Sequence, residues 1–190
     1  MHITNCHNRF RFFPVVAGIF LVLLATSGVR VLAQSTADTE FPEGFIFYGR
    51  LHSGMVTDFH SSPDLFVGGI QAVPQVTVVP HLLRAGVVAG TFFTHNKIQG
   101  EFGPLVAIKL KTFYVNLQGT RAGSLGNLQL QLDHLWGTGR QRLLGGGIIF
   151  DAGNLITAGI TGHRDYRLKT WWFQTQIGVR ISKKKKNPVI

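Results

Sequence analysis

From Trp171 to Ser182 the side chains alternate. Trp171, Phe173, Ile177, Val179 and Ile181 share one parity, and Gln174, Gln176, Arg180 and Ser182 share the other. Successive side chains of a strand point to opposite faces, so this segment predicts a strand with one apolar and one polar side. A tilted strand needs only roughly 9–11 residues to cross a bilayer, and this one is long enough. The same alternation recurs upstream. Phe45, Phe47, Leu51 and Met55 oppose Tyr48, Arg50 and His52. Leu83, Ala85, Val87, Ala89 and Phe93 form the apolar set of Leu82–Thr94, and Leu128, Leu130 and Leu132 alternate with Gln129, Gln131 and Asp133 up to Trp136.

Between these segments the chain carries turn chemistry. The sequence predicts turns at 60–64 and 95–96, a connection from Pro74 to Pro80 after a second strand Leu65–Val73, and a loop over Gly119–Asn127. It also predicts a turn at 137–140, a tight hairpin turn at Asp151-Ala152-Gly153-Asn154, and a loop over His163–Leu168 between strands 155–162 and 170–182. Proline lacks the ladder donor, which is why Pro74 is read as ending a strand. One stretch breaks the pattern. Ile98, Phe102, Val106, Ile108 and Leu110 share a parity opposite Gln99, Glu101, Lys109 and Lys111, but after Thr112 the apolar set becomes Phe113, Val115 and Leu117. A β-bulge near Lys111-Thr112 would re-aim the side chains in this way, and a tight turn is the rival reading. No long segment has helical periodicity.

With the bulge the expectation is an all-β protein, an antiparallel up-and-down barrel of about eight strands spanning residues 44–182. An eight-stranded barrel is just wide enough to be filled by its own side chains. Arg50, Glu101, Lys109, Gln129, Gln131, Asp133, Gln174, Gln176 and Arg180 are therefore assigned to the interior. Glu101 and Asp133 would pair there with Arg50, Lys109 or Arg180, since charges out of water need partners. Leu128, Leu130, Leu132, Trp171, Phe173, Ile177, Val179 and Ile181 are assigned to a lipid-facing exterior. Parity says which residues share a face, not which face is outside. The rival is thus a soluble exported barrel or sandwich with its apolar face inward around a small apolar ligand.

The front of the chain changes the setting. Arg9 and Arg11 precede an apolar run from Val15 to Ala25, and Val31-Leu32-Ala33 offers a cleavage site, so residues 1–33 read as a secretory signal. Residues 34–43 read as a flexible leader. Cys6, the one cysteine, falls within the signal, so the exported chain has no disulfide with which to stabilise itself. Removing three of the 19 basic residues with the signal and none of the nine acidic ones leaves 16 − 9 = +7. Part of that excess is the run Lys183–Lys186 in the tail 183–190, suited to anionic lipid headgroups; export argues against nucleic acid. Phenylalanine outnumbers tyrosine 15 to 3, which suits a lipid-facing surface. Trp136, Trp171, Trp172, Tyr48, Tyr114 and Tyr166 fall near predicted strand ends, where an aromatic girdle would stand.

The exported start, the repeated hairpins, the Gly145–Asn154 segment GGGIIFDAGN and the aromatic-rich last strand resemble the small outer-membrane β-barrels of Gram-negative bacteria, in particular opacity-protein or porin-family-like barrels common in Bacteroidota. That resemblance implies an outer-membrane location, contact with outer-membrane lipid or lipopolysaccharide, and dependence on the barrel-assembly machinery. It implies a structural or surface-interaction role, with partners reached through Ser61–Asp64, Gly137–Gln141 and His163–Leu168.

Candidate chemistry is sparse. His52-Ser53 and His60-Ser61-Ser62 put a base beside hydroxyls, the starting material of a lipid-modifying enzyme, but no orienting third group or oxyanion hole is visible in the sequence. His52, His60, His81, His95, His134 and His163 are scattered singly without metal-ligand spacing. Gly145-Gly146-Gly147 lies within a strand pattern, not ahead of a helix, and so is not a nucleotide loop. The sequence therefore predicts no enzyme activity, cofactor or metal, and it names no protein partner.

Overall fold

The computed structural model describes residues 44–59, 65–94, 97–117, 120–153 and 155–182. The predicted signal, the leader up to residue 43, the basic tail and the Ser61–Asp64 segment lie outside them. The described chain is all-β. Its eight strands are β1 (Phe45–Thr57), β2 (Leu65–Val79), β3 (Leu83–Thr94), β4 (Lys97–Leu117), β5 (Thr120–Gly137), β6 (Arg142–Ala152), β7 (Ile156–Asp165) and β8 (Thr170–Ser182). Each pairs antiparallel with the next, and β8 returns to β1, from Ile46 opposite Ser182 to Thr57 opposite Trp171, closing the barrel. Closure leaves no edge within the wall, so the backbone donors and acceptors of the sheet are satisfied internally.

Several predicted boundaries are corrected. β2 does not stop at Val73 but continues through Pro74 to Val79. Pro74 stays opposite Phe47 on β1, while the β2–β3 ladder steps from Ala72–Ala89 to Gln75–Gly86. The missing donor thus costs one local gap, and pairing on either side carries the strand past it. Pro104 produces a second gap. It lies opposite Val87 on β3, whereas the β4–β5 ladder steps from Phe102–Trp136 to Leu105–Asp133.

The predicted loop Gly119–Asn127 is strand from Thr120 onward, and β4 and β5 form one long hairpin. The parity break in β4 is a bulge within a single strand: Lys109 faces Gln129 and Lys111 faces Leu128, leaving Leu110 as the extra residue. Beyond Ile108 opposite Leu83 and Gly126 opposite Ala152, the hairpin loses its outer neighbours and overhangs the rim. The predicted loop His163–Leu168 begins too early, since β7 extends to Asp165. Asp151 likewise belongs to β6 rather than to a turn; the turn itself begins at Gly153, whose φ of 55° suits glycine.

The two ends of the barrel differ. The end holding the start of β1 and the finish of β8 has connections 80–82, 118–119 and 153–155, while the opposite, turn end has 58–64, 95–96, 138–141 and 166–169.

Candidate functional site: a filled lumen

Inward positions follow from strand parity. On β1 they are Ile46, Tyr48, Arg50, His52 and Val56, and on β8 they are Trp172, Gln174, Gln176 and Arg180; all nine are buried. Of the residues assigned to the interior from sequence, Arg50, Glu101, Gln129, Gln131, Asp133, Gln174, Gln176 and Arg180 are buried in the lumen, and Lys109 is half-buried at the rim. The residues assigned to the exterior, Leu128, Leu130, Leu132, Trp171, Phe173, Ile177, Val179 and Ile181, all point away from it. Leu132, Trp171, Phe173, Ile177 and Ile181 are exposed, and Leu128, Leu130 and Val179 are half-covered by neighbours on the wall.

The lumen holds two polar clusters. The first centres on Asp151, whose Oδ2 accepts hydrogen bonds from Tyr48 Oη at 2.9 Å, Gln129 Nε2 at 2.6 Å and Arg180 Nη1 at 3.1 Å. Arg84 Nη1 donates to Tyr48 Oη at 2.9 Å, and Arg180 Nη2 to the carbonyl of Gly153 at 2.9 Å. The second cluster lies nearer the turn end. Arg50 Nη1 donates to Gln131 Oε1 at 2.7 Å and, at 3.3 Å, to Gln176 Oε1; Gln131 Nε2 donates to Asp133, and Asp133 Oδ1 lies 2.6 Å from His163 Nε2. Gln71 Nε2 donates to Glu101 Oε1 at 2.7 Å, with His52 Nδ1 3.7 Å from the same oxygen. Two close approaches make room for these rings. A Cβ at Gly69 would strike the Thr91 carbonyl and the His52 ring, and one at Gly145 the Gly162 carbonyl and His163.

These pairings correct the expected ones. Glu101 and Asp133 meet Gln71 and His163 rather than Arg50, Lys109 or Arg180, and the acid that pairs Arg180 is Asp151, which sequence placed in a turn. Nor is the lumen polar throughout. Val56, Val67, Phe92, Leu135, Leu143 and Trp172 cap its turn end with apolar side chains, Phe92 meeting Trp172 edge to face at 5.3 Å. Val73, Val88, Leu105 and Ala107 line the β2–β4 wall. Tyr48 and Trp172, expected in an exterior girdle, are therefore interior residues.

Chemically, the Asp133–His163 contact is an acid orienting an imidazole. The His163 Nδ1 nitrogen makes no hydrogen bond among the described residues, so no hydroxyl is held there as a nucleophile. His52 and Ser53 point to opposite faces of β1, His52 inward and Ser53 exposed, so this neighbouring pair cannot act together. The alternative at His60-Ser61-Ser62 lies outside the described residues. Among the described residues no group of three or more His, Cys, Asp or Glu side chains is placed to hold a metal ion.

Outside, the wall is apolar over its whole girth. Ile70 is 57% exposed, Ile160 61%, Ile181 61% and Ile98 82%. Aromatic rings gather on its outer surface at the turn end. Trp136 contacts Phe102 and His134, Tyr166 contacts His134, and Trp171 stacks on Phe173 at 6.1 Å with rings 7° from parallel. A scan against protein families and a search of curated proteins find no match to this chain.

Proposed function

We propose that this chain is an outer-membrane β-barrel with a filled lumen, serving a structural or surface-interaction role in the envelope rather than catalysing a reaction. The observation that carries this reading is the inversion of the wall: charged and amide side chains inside, and isoleucine, leucine, valine and phenylalanine outside on every strand. A water-soluble protein rarely exposes a contiguous apolar patch beyond a few hundred Å². A barrel in hydrocarbon needs such a wall.

The resemblance to small Gram-negative outer-membrane barrels fits this reading. The connections 58–64, 138–141 and 166–169 at the turn end exceed those at the terminal end, which suits termini that face the periplasm; 95–96 is as short as any, and the β4–β5 overhang would then project on the periplasmic side. The rings at Trp136, Tyr166 and Trp171 would then sit at the outer headgroup level. The lumen is crossed by Arg50, Tyr48, Asp151 and Asp133 and capped by Trp172 and Phe92, which argues against an open solute pore. It also argues against the rival apolar ligand, since the charged pairs occupy the middle of the barrel.

The test is envelope fractionation followed by electrophoresis in detergent with and without boiling. Recovery in the outer membrane with a heat-dependent mobility shift is expected. Recovery in the soluble periplasm with no shift would overturn the membrane reading.

A further inference from the structure

The connections 138–141 and 166–169 lie side by side at the turn end, where the Tyr166 amide donates to the Arg142 carbonyl at 3.2 Å. Together with the adjoining strand ends they carry Arg140, Arg142, Arg164, Arg167 and Lys169, each exposed or half-exposed. Among the described residues little opposes that charge. Of the described acids, Glu101, Asp133, Asp151 and Asp165 are buried, and only Asp58 is partly open, at the margin next to Thr57, which faces Trp171. Asp165 is the acid nearest in sequence, but its Oδ1 accepts the amides of Arg167 and Leu168 at 2.9 Å each and of Arg142 at 3.4 Å, so it shapes the turn from inside.

The patch adjoins an apolar groove. His134, Leu144, Arg164 and Trp171 are successive outward neighbours across β5, β6, β7 and β8. The Arg164 guanidinium lies 5.1 Å from the Trp171 ring centre, and His134 Nε2 lies 3.0 Å from Tyr166 Oη. Beside His134, where Pro104 interrupts the β4–β5 ladder, a groove of about 450 Å³ opens in the wall, lined by Pro104, Val106, Leu132, His134 and Leu144 among others. Cations, ring edges and an apolar furrow thus follow one another down the outside of the barrel.

We propose that this surface binds the phosphate group of an anionic membrane lipid, one whose headgroup carries no neutralising choline, with an acyl chain in the groove. The site rests on the membrane reading above. Guanidinium groups match phosphate oxygens in pairs, and tryptophan and tyrosine favour the headgroup level where such phosphates lie. The groove selects a lipid phosphate over a free one, because its apolar lining gains only from a hydrocarbon chain.

The test uses the full chain folded in a zwitterionic detergent, with phosphatidic acid as the probe followed by native mass spectrometry. Phosphatidylcholine and inorganic phosphate serve as comparisons. Phosphatidic acid should bind, phosphatidylcholine should bind far less, and inorganic phosphate should fail to displace the lipid. At about fivefold per cation, the triple variant R142Q/R164Q/R167Q should bind on the order of 100-fold more weakly. Leu144→Gln should weaken the lipid through the groove, whereas Lys111→Gln on the overhanging hairpin at the far end should leave it unchanged. Wild-type affinity in the triple variant, equal binding of phosphatidylcholine, or displacement by inorganic phosphate would each overturn the proposal. A retained heat-dependent mobility shift without lipid binding sinks this site alone; absence of the shift in the unaltered chain sinks the membrane reading itself.

Discussion

Tyr48 on β1 and Asp151 on β6 are 103 residues apart in sequence and joined at 2.9 Å inside the barrel. Their strands are separated by β7 and β8 around the wall, so the bond crosses the lumen instead of running along the sheet. Asp151 also accepts from Gln129 and Arg180, so one carboxylate ties β1, β5 and β8 to β6 from within, and Arg84 on β3 joins them through Tyr48.

Removing that carboxylate leaves Arg180 buried without its acid. Asp151→Ala should cost about 3–5 kcal/mol, the penalty for breaking a buried pair from one side. Asp151→Asn keeps an acceptor and should cost less, roughly 1–3 kcal/mol. Urea unfolding of the barrel in vesicles or detergent measures both, and equal stability of D151A and the unaltered chain would remove Asp151 from the centre of the network.

The apolar cap makes a separate contribution. Trp172 is 2% exposed and packs on Phe92, so Trp172→Ala should destabilise the barrel by about 3–5 kcal/mol, as other buried Trp truncations do. The neighbouring Trp171→Ala, on the outer wall, should cost distinctly less in the same unfolding experiment.

Depth along the wall gives a third expectation. Ile177 stands opposite Leu51 and Ala158 in the middle of β8, while Ile181 lies near its end. In a bilayer Ile177→Arg should cost about 2–4 kcal/mol and Ile181→Arg only about 0–1. If the wall instead faced water, both would fall within about 0.5 kcal/mol of the unaltered chain. Unfolding in phospholipid vesicles separates the two cases.

The hairpin overhang lies outside the closed wall. Replacing residues 114–125 by Asn-Gly, between the paired Phe113 and Gly126, should shorten it while leaving the eight-stranded barrel and its heat-dependent mobility shift intact, since Asn-Gly favours a tight hairpin turn. Loss of the shift would show that the overhang helps to close the barrel.

Much of this architecture is legible in the alternation of residues. The parity that separates Gln174, Gln176 and Arg180 from Phe173, Ile177 and Ile181 also separates lumen from exterior, because a strand admits only two directions. Arg84 was equally readable, sitting among Leu83, Ala85 and Val87 with the opposite parity. What parity does not carry is partner choice across the lumen, which depends on barrel closure and stagger; hence Asp133 meets His163 and Glu101 meets Gln71. Local turn chemistry misled at Asp151, where Asp and Gly near a strand end suggested the turn two residues early. Apolar residues on both faces, as at Leu143-Leu144 and Trp171-Trp172, leave direction open, so the apolar cap is not legible in the sequence.

The adjacent pair Trp171 and Trp172 reports on both sides of the wall at once, since the first points outward and the second into the lumen. Two single-tryptophan variants, W136F/W172F and W136F/W171F, would be folded into vesicles containing lipids brominated on their acyl chains close to the glycerol, the depth nearest the headgroups. Strong quenching of Trp171 fluorescence and little of Trp172 is expected. Equal quenching of both, or of neither, would contradict a lipid-facing wall around a closed interior.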